Sequence, residues 1–167
     1  MPATSPATAY DVRIGPTRQL GARLLLHPAH NAAGVAVVEH TLPPGELAAP
    51  PHRHTREDEF SIVLEGELTV WEEGIVSVHG PGSFVEKRRG RLHTFWNAGP
   101  GPLRFHEIIA PGAFAGYFPE ADRLLPADGP PDDGVLRRFD DLNERYGLEM
   151  DWSAVPELAR RHGLRLA

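Results

Sequence analysis

PPHRHTREDEF, residues Pro50 to Phe60, packs two histidines, two arginines and three acids into eleven residues of a chain otherwise ordinary in charge. Charge runs usually face solvent, so a salt-bridged surface loop is one reading. Strand alternation supplies the other: residues i and i+2 share a face, so His52 and His54 point together while Arg53 points away. Two imidazoles on one face have the geometry of a chelate. Glu59 follows at a distance that permits a bend or a second strand, and Glu59, Ser61 and Val63 then alternate against Phe60, Ile62 and Leu64. Which reading holds depends on the rest of the chain.

Outward from this stretch the sequence reads as short strands: Ala22 to His27, Gly34 to Leu42, Glu59 to Glu73 broken at Gly66, then GIVSVH, GSFVEK, HTFWN and LRFHEIIA. PPGE, EG, GPG, RRG and NAGPGP separate them, all strong turn formers. Pro and Gly each occur 17 times, which suits an all-β sandwich or barrel and not a helical bundle. From Gly134 the pattern changes. VLRRFDDLNERY sets Leu136, Phe139, Leu142 and Tyr146 on one helical face before Gly147, and Ser153 is placed to cap a further segment ending at Gly163. The first nine residues and ADGPPDDG (Ala127 to Gly134) read as a loose tail and a linker.

Composition excludes several classes. A chain of 167 residues, 41% hydrophobic, suits one domain with a real core. A formal net charge of -6 gives no footprint for a phosphate backbone, so nucleic acid is not an expected partner. No apolar run approaches the roughly 20 residues of a membrane span, and the N-terminus has no signal-like core, so a soluble, cytoplasmic protein is expected. Without cysteine, histidine and carboxylate are the credible metal ligands. His93, which opens HTFWN, joins His52, His54 and Glu59 as a candidate; three imidazoles and one carboxylate would leave coordination positions open on a divalent ion.

Two blocks carry a resemblance. The first is Gly45, six residues, His52-x-His54, four residues, Glu59, six residues, Gly66; the second is Gly82, seven residues, Gly90, two residues, His93, three residues, Asn97. In these nine positions the chain resembles the cupin superfamily, and it looks like the single-domain, quercetinase-type cupins. The resemblance implies a double-stranded β-helix, or jelly-roll barrel, holding one metal on His52, His54, Glu59 and His93, with Asn97 and the glycines structural. The organisation expected is a tail and possible first strand over 1–20, the barrel over 21–112, and a helical extension over 113–167 packed on the barrel or on a partner. A homodimer is the assembly the resemblance implies.

One departure stands out: Arg88 occupies a position where the family usually has proline. Glu86, Lys87, Arg88 and Arg89 alternate on a strand, either as a salt-bridged edge or with one pair facing the cavity mouth to attract an anion. In LRFHEIIA only one of His106 and Glu107 can face inward. Arg53, Arg56, Glu57 and Asp58 read as surface or entrance residues, and His27, His30, His40, His79 and His162 as structural or surface. Alternation from Glu59 and His93 assigns Ser61, Val63 and Phe95 to the substrate wall. The function expected is dioxygenase-like oxidation of a small aromatic or enolic substrate with molecular oxygen, using iron, manganese, nickel, cobalt or zinc, and the resemblance to quercetinase-type cupins implies that Glu59 is both ligand and catalytic base. The alternatives are a non-redox isomerase or cyclase, and a non-catalytic small-molecule-binding barrel.

Overall fold

The computed structural model describes residues 9–127 and 131–167. The expected tail therefore falls largely outside the described residues, as do positions 128–130 of the expected linker. Eleven strands follow in order: β1 (Asp11–Ile14), β2 (Leu20–Leu26), β3 (Ala36–Leu42), β4 (Glu46–Leu47), β5 (His52–His54), β6 (Asp58–Glu65), β7 (Leu68–Glu72), β8 (Ile75–His79), β9 (Phe84–Lys87), β10 (His93–Asn97) and β11 (Leu103–Ala110). Then come α1 (Tyr117–Leu124), α2 (Asp133–Tyr146), β12 (Leu148–Met150), α3 (Val155–His162) and β13 (Arg165–Leu166).

These strands form two facing sheets. One runs β1-β2-β3-β11-β6-β9, and the other centres on β10, which pairs with β7 on one side and with β4 and β5 on the other. This is the double-stranded β-helix that the sequence implied. Alternation explains why it closes. Val38 and Leu42 of β3, Val63 of β6, and Leu103, Phe105 and Ile109 of β11 are at most 1% exposed, whereas the intervening residues face outward. Each such side chain contributes roughly 1.5–3 kcal/mol by leaving water.

The four motif glycines, Gly45, Gly66, Gly82 and Gly90, all adopt positive φ. At Gly66 a side chain would also run into the Pro102 carbonyl, so the β6–β7 turn requires glycine twice over. Asn97, fully buried, donates to the carbonyls of Leu42 and Gly101 at 2.9 and 2.8 Å and accepts from the Gly99 amide at 2.9 Å. It ties three segments of the barrel end together.

The C-terminal extension is built into the barrel. β12 lengthens the second sheet, placing Leu148 opposite His54 and Met150 opposite His52, and β13 pairs in parallel with β4. Asp132 caps α2 by accepting from the Val135 amide at 2.8 Å, and Gly147 ends it in the left-handed region. Leu142 of the expected apolar face is buried and Phe139 and Tyr146 pack on the core, but Leu136 is 44% exposed. Ser153 is not the cap expected. Asp151 instead caps the short 3-10 turn Trp152–Ala154, accepting from the Ser153 amide at 3.0 Å, and α3 follows at Val155 without a side-chain cap.

Candidate metal centre

The two sheets contribute different chemistry to one point. β5 and β10 pair with His93 opposite His52, so the second sheet supplies three imidazoles. β6 of the first sheet supplies Glu59. One donor atom from each of His52, His54, Glu59 and His93 lies within 4.8 Å of every other, and all four residues are buried.

The outer ring nitrogens explain how the imidazoles are aimed. His52 Nδ1 donates to the Pro50 carbonyl at 2.8 Å, His93 Nδ1 to the Arg91 carbonyl at 3.1 Å, and His54 Nδ1 to Glu57 Oε1 at 2.6 Å. Because a carbonyl or carboxylate only accepts, each ring carries a proton on Nδ1 and aims Nε2 inward. Nε2 of His54 and of His93 are buried without a hydrogen-bond partner, and Glu59 Oε2 lies 3.4 and 3.7 Å from them. Buried orphaned nitrogens converging on a carboxylate are what a cation resolves. His52, His54, Glu59 and His93 would hold such an ion, the three imidazoles through Nε2 and the glutamate through a carboxylate oxygen.

Electrostatics match this geometry. Burial, with the neighbouring imidazoles, keeps His52 well below its ordinary pKa, and burial likewise lowers His93. Burial also disfavours charge on His54, but the Glu59 charge and the hydrogen bond that His54 donates to Glu57 outweigh it and lift His54 to about 9. Burial would raise Glu59, yet His54 and Lys87 overcome that and hold its carboxyl well below the usual range. In this pocket a proton on His54 balances Glu59, the role a divalent ion would take over.

Glu57 and Lys87, near this point, contradict the readings given to them, whereas His40 fits the structural alternative. Glu57, 3% exposed, is the carboxylate that orients His54. Lys87, 1% exposed, is neither a salt-bridged edge residue nor at the mouth: register opposite Glu59 turns it into the barrel, where Nζ lies 2.7 Å from Glu107 Oε2 and 3.6 Å from Glu59 Oε2. The ammonium also sits 4.9 Å from the centre of the Phe95 ring. Arg88 does behave as an edge residue, pairing with Glu86 at 2.9 Å. His40, 3% exposed, donates from Nδ1 to the Gly21 carbonyl at 2.9 Å, and burial lowers its pKa to about 4.

In β11 the inward residue is Glu107, while His106 is partly exposed beside Glu39. Burial first, then the Glu59 charge, raises the Glu107 carboxyl to about 7 against the pull of Lys87. Parity with Leu103, Phe105 and Ile109 was the available signal for Glu107, and parity with Val38 and Leu42 for His40. For Lys87 the signals conflicted: it shares a face with buried Val85, but exposed Phe84 and buried Lys87 invert the hydrophobic expectation for β9.

Three of the four donor residues, His52, His54 and Glu59, line a cavity of about 520 Å³ whose polar lining also includes Glu107 and His40, while His93 is buried behind it. Phe95 lies on its wall; Ser61 and Val63 are buried inside the barrel but do not line it. The Ser61 hydroxyl donates instead to Glu107 Oε2 at 3.1 Å. The roof is the C-terminal extension: Phe118 from α1, Leu136, Phe139 and Asn143 from α2, with Tyr117 donating to Asn143 Oδ1 at 2.9 Å. Phe114 packs edge-on against the His54 ring at 4.4 Å, so the roof touches a candidate ligand directly.

Comparison with known proteins agrees with this architecture. Residues 38–109 match the model of the cupin domain family. A sugar phosphate isomerase of the cupin superfamily from Silicibacter pomeroyi superposes with a TM-score of 0.53 at 22% identity, over 65% of this chain and 75% of that one. A predicted oxalate decarboxylase from Thermotoga maritima gives 0.51 at 22% identity, over 65% of this chain and 97% of the other. Both likenesses are likenesses of fold. A search of curated proteins gives no match. No described helix is long and apolar enough to cross a membrane. With its two spaced motif blocks, its facing antiparallel sheets and its buried His/Glu group inside the matched region, the stretch 38–109 matches a cupin domain, and the resemblance seen in the sequence is supported.

Proposed function

We propose that the protein is a metal-dependent enzyme acting on a small, largely apolar molecule that offers oxygen donors, in an oxidation of the dioxygenase type. The carrying observation is the convergence of the His52, His54, Glu59 and His93 donors, three of which line a roofed, mostly apolar cavity. A divalent ion held there would act as a Lewis acid on a substrate oxygen and, if redox-active, mediate electron transfer to molecular oxygen. The chain's own residues do the rest. Pro50, Glu57 and Arg91 fix the tautomers of the imidazoles. Phe95, Phe118 and Phe139 receive an aromatic or enolic body, and the roof keeps water away from the floor.

The volume suits a molecule of moderate size, since small-molecule sites commonly run to about 300–1,000 Å³. Elemental analysis of protein purified without added metal, followed by oxygen uptake with flavonols, dihydroxyaromatics and β-diketones, tests the reading. One bound transition metal and substrate-dependent uptake are expected; a metal-free protein that takes up none when supplied overturns it. A non-redox isomerase or cyclase is the second reading, favoured by Glu107, a second carboxylate on the same cavity. Conversion of an enolisable substrate without oxygen uptake would select it.

A further inference from the structure

Glu107 is a buried carboxylate on the cavity wall that metal binding leaves unused. Its two oxygens differ. Oε2 is anchored by Lys87 Nζ at 2.7 Å and by the Ser61 hydroxyl at 3.1 Å, whereas Oε1 has, among the described residues, only a longer 3.4 Å contact from that same hydroxyl. Such a group is held in place by one atom and has the other to offer. Glu59 is differently placed: its Oε2 faces His54, His93 and Lys87 at 3.4, 3.7 and 3.6 Å and is committed to the metal point. One ammonium reaches both carboxylates, so Glu107 stands beside the metal point and not across the barrel from it. His40, another polar group of the wall, lies between the Phe105 and Phe118 rings at 5.2 and 5.1 Å. A proton taken there would meet no carboxylate within hydrogen-bond reach among the described residues.

We propose that Glu107, positioned by Lys87 and Ser61, is the group that exchanges a proton with the molecule bound at the metal centre. The step balances simply. The ligand's acidic O–H bond breaks, its electron pair stays on the ligand oxygen, and the proton binds Glu107 Oε1 to give a carboxylic acid. Lys87 then keeps its charge opposite Glu59. The class of ligand follows: an enol, a phenol or a vicinal dihydroxyaromatic that enters protonated and is held ionised. The proposal rests on the metal-centred reading above and assigns the proton's destination within it.

The test uses zinc-loaded full-length protein, because zinc has no redox chemistry, and 4-nitrocatechol, whose visible spectrum reports its ionisation. Calorimetric titration in buffers of different ionisation enthalpy counts the protons released per probe bound. With Glu107→Gln, roughly one proton more than with the wild type should reach the buffer, while zinc content is unchanged. A second measurement needs no variant: infrared difference spectra of the wild type should gain a carboxylic-acid carbonyl band when the probe binds. Equal proton counts, or no such band, overturn the assignment to Glu107 and leave the metal centre intact. Failure of the wild type to hold zinc, or to bind the probe only when zinc is present, overturns the metal-centred reading and this proposal with it.

Discussion

Replacing Lys87 by methionine probes the buried charges on which the cavity floor depends. The ammonium is 1% exposed and lies 2.7 Å from Glu107 and 3.6 Å from Glu59. Methionine fills a similar space but leaves two carboxylates beside each other without their shared cation. Removing one partner of a buried pair costs about 3–5 kcal/mol, because the remaining charge has neither water nor counter-ion. At this chain length 1 kcal/mol moves the melting midpoint by about 2–4 °C, so the metal-free variant should melt roughly 6–20 °C lower. Combining Lys87→Met with Glu107→Gln removes the stranded charge as well. The double variant should therefore be more stable than the sum of the two single effects allows, by more than about 1 kcal/mol. Urea denaturation of the four chelator-treated proteins at neutral pH measures this cycle. A Lys87→Met loss below about 1 kcal/mol, or an additive cycle, would refute the ion-pair argument.

His52→Ala should lower metal content and melting temperature together, since a bound ion at 100 times its Kd stabilises the native state by about 2.7 kcal/mol. Unchanged metal stoichiometry would remove His52 from the ligand set. Glu57→Ala should weaken metal binding about 10–100-fold by freeing the His54 ring, as measured by competition with a chromophoric chelator; wild-type affinity would refute its orienting role. His40 sets a pH dependence. Its folded pKa of about 4 lies below the ordinary 6.5, so its stabilisation is complete above about 6.5 and is lost as pH falls toward 4. The amount is up to about 3 kcal/mol, and His40→Gln should flatten that part of the stability curve by the same measure. An unchanged acid limb in His40→Gln would show that His40 is not protonated on unfolding in that range.

Much of the barrel was legible because alternation is local. GVAVVEHTL, EFSIVLEG and LRFHEIIA announce strands with an apolar face, and the turn residues between them mark the ends. His52, His54, Glu59 and His93 were legible through the resemblance to the cupin superfamily that their spacing carries. Glu57 was not, because nothing local distinguishes an acid that turns back beneath His54 from its solvated neighbours Arg56 and Asp58. Lys87 was hidden more deeply. Its direction is set by the β6–β9 register, which puts it opposite Glu59 and turns the more hydrophobic Phe84 to solvent at 61% exposure. A buried ammonium is tolerable only where carboxylates from other strands meet it, and those come from 28 and 20 positions away.

By itself the sequence determined a cysteine-free, turn-rich β chain with the cupin spacings of three histidines and a glutamate, because strand parity and glycine-dependent turns are written in near neighbours. Tertiary structure alone decided that the C-terminal helices roof the cavity, that Glu57 and Lys87 are buried, and that these two join Glu107 and His40 around the candidate metal site. The physical reason is that a buried charge is fixed by its partners, and partners on different strands are brought together only when the two sheets close.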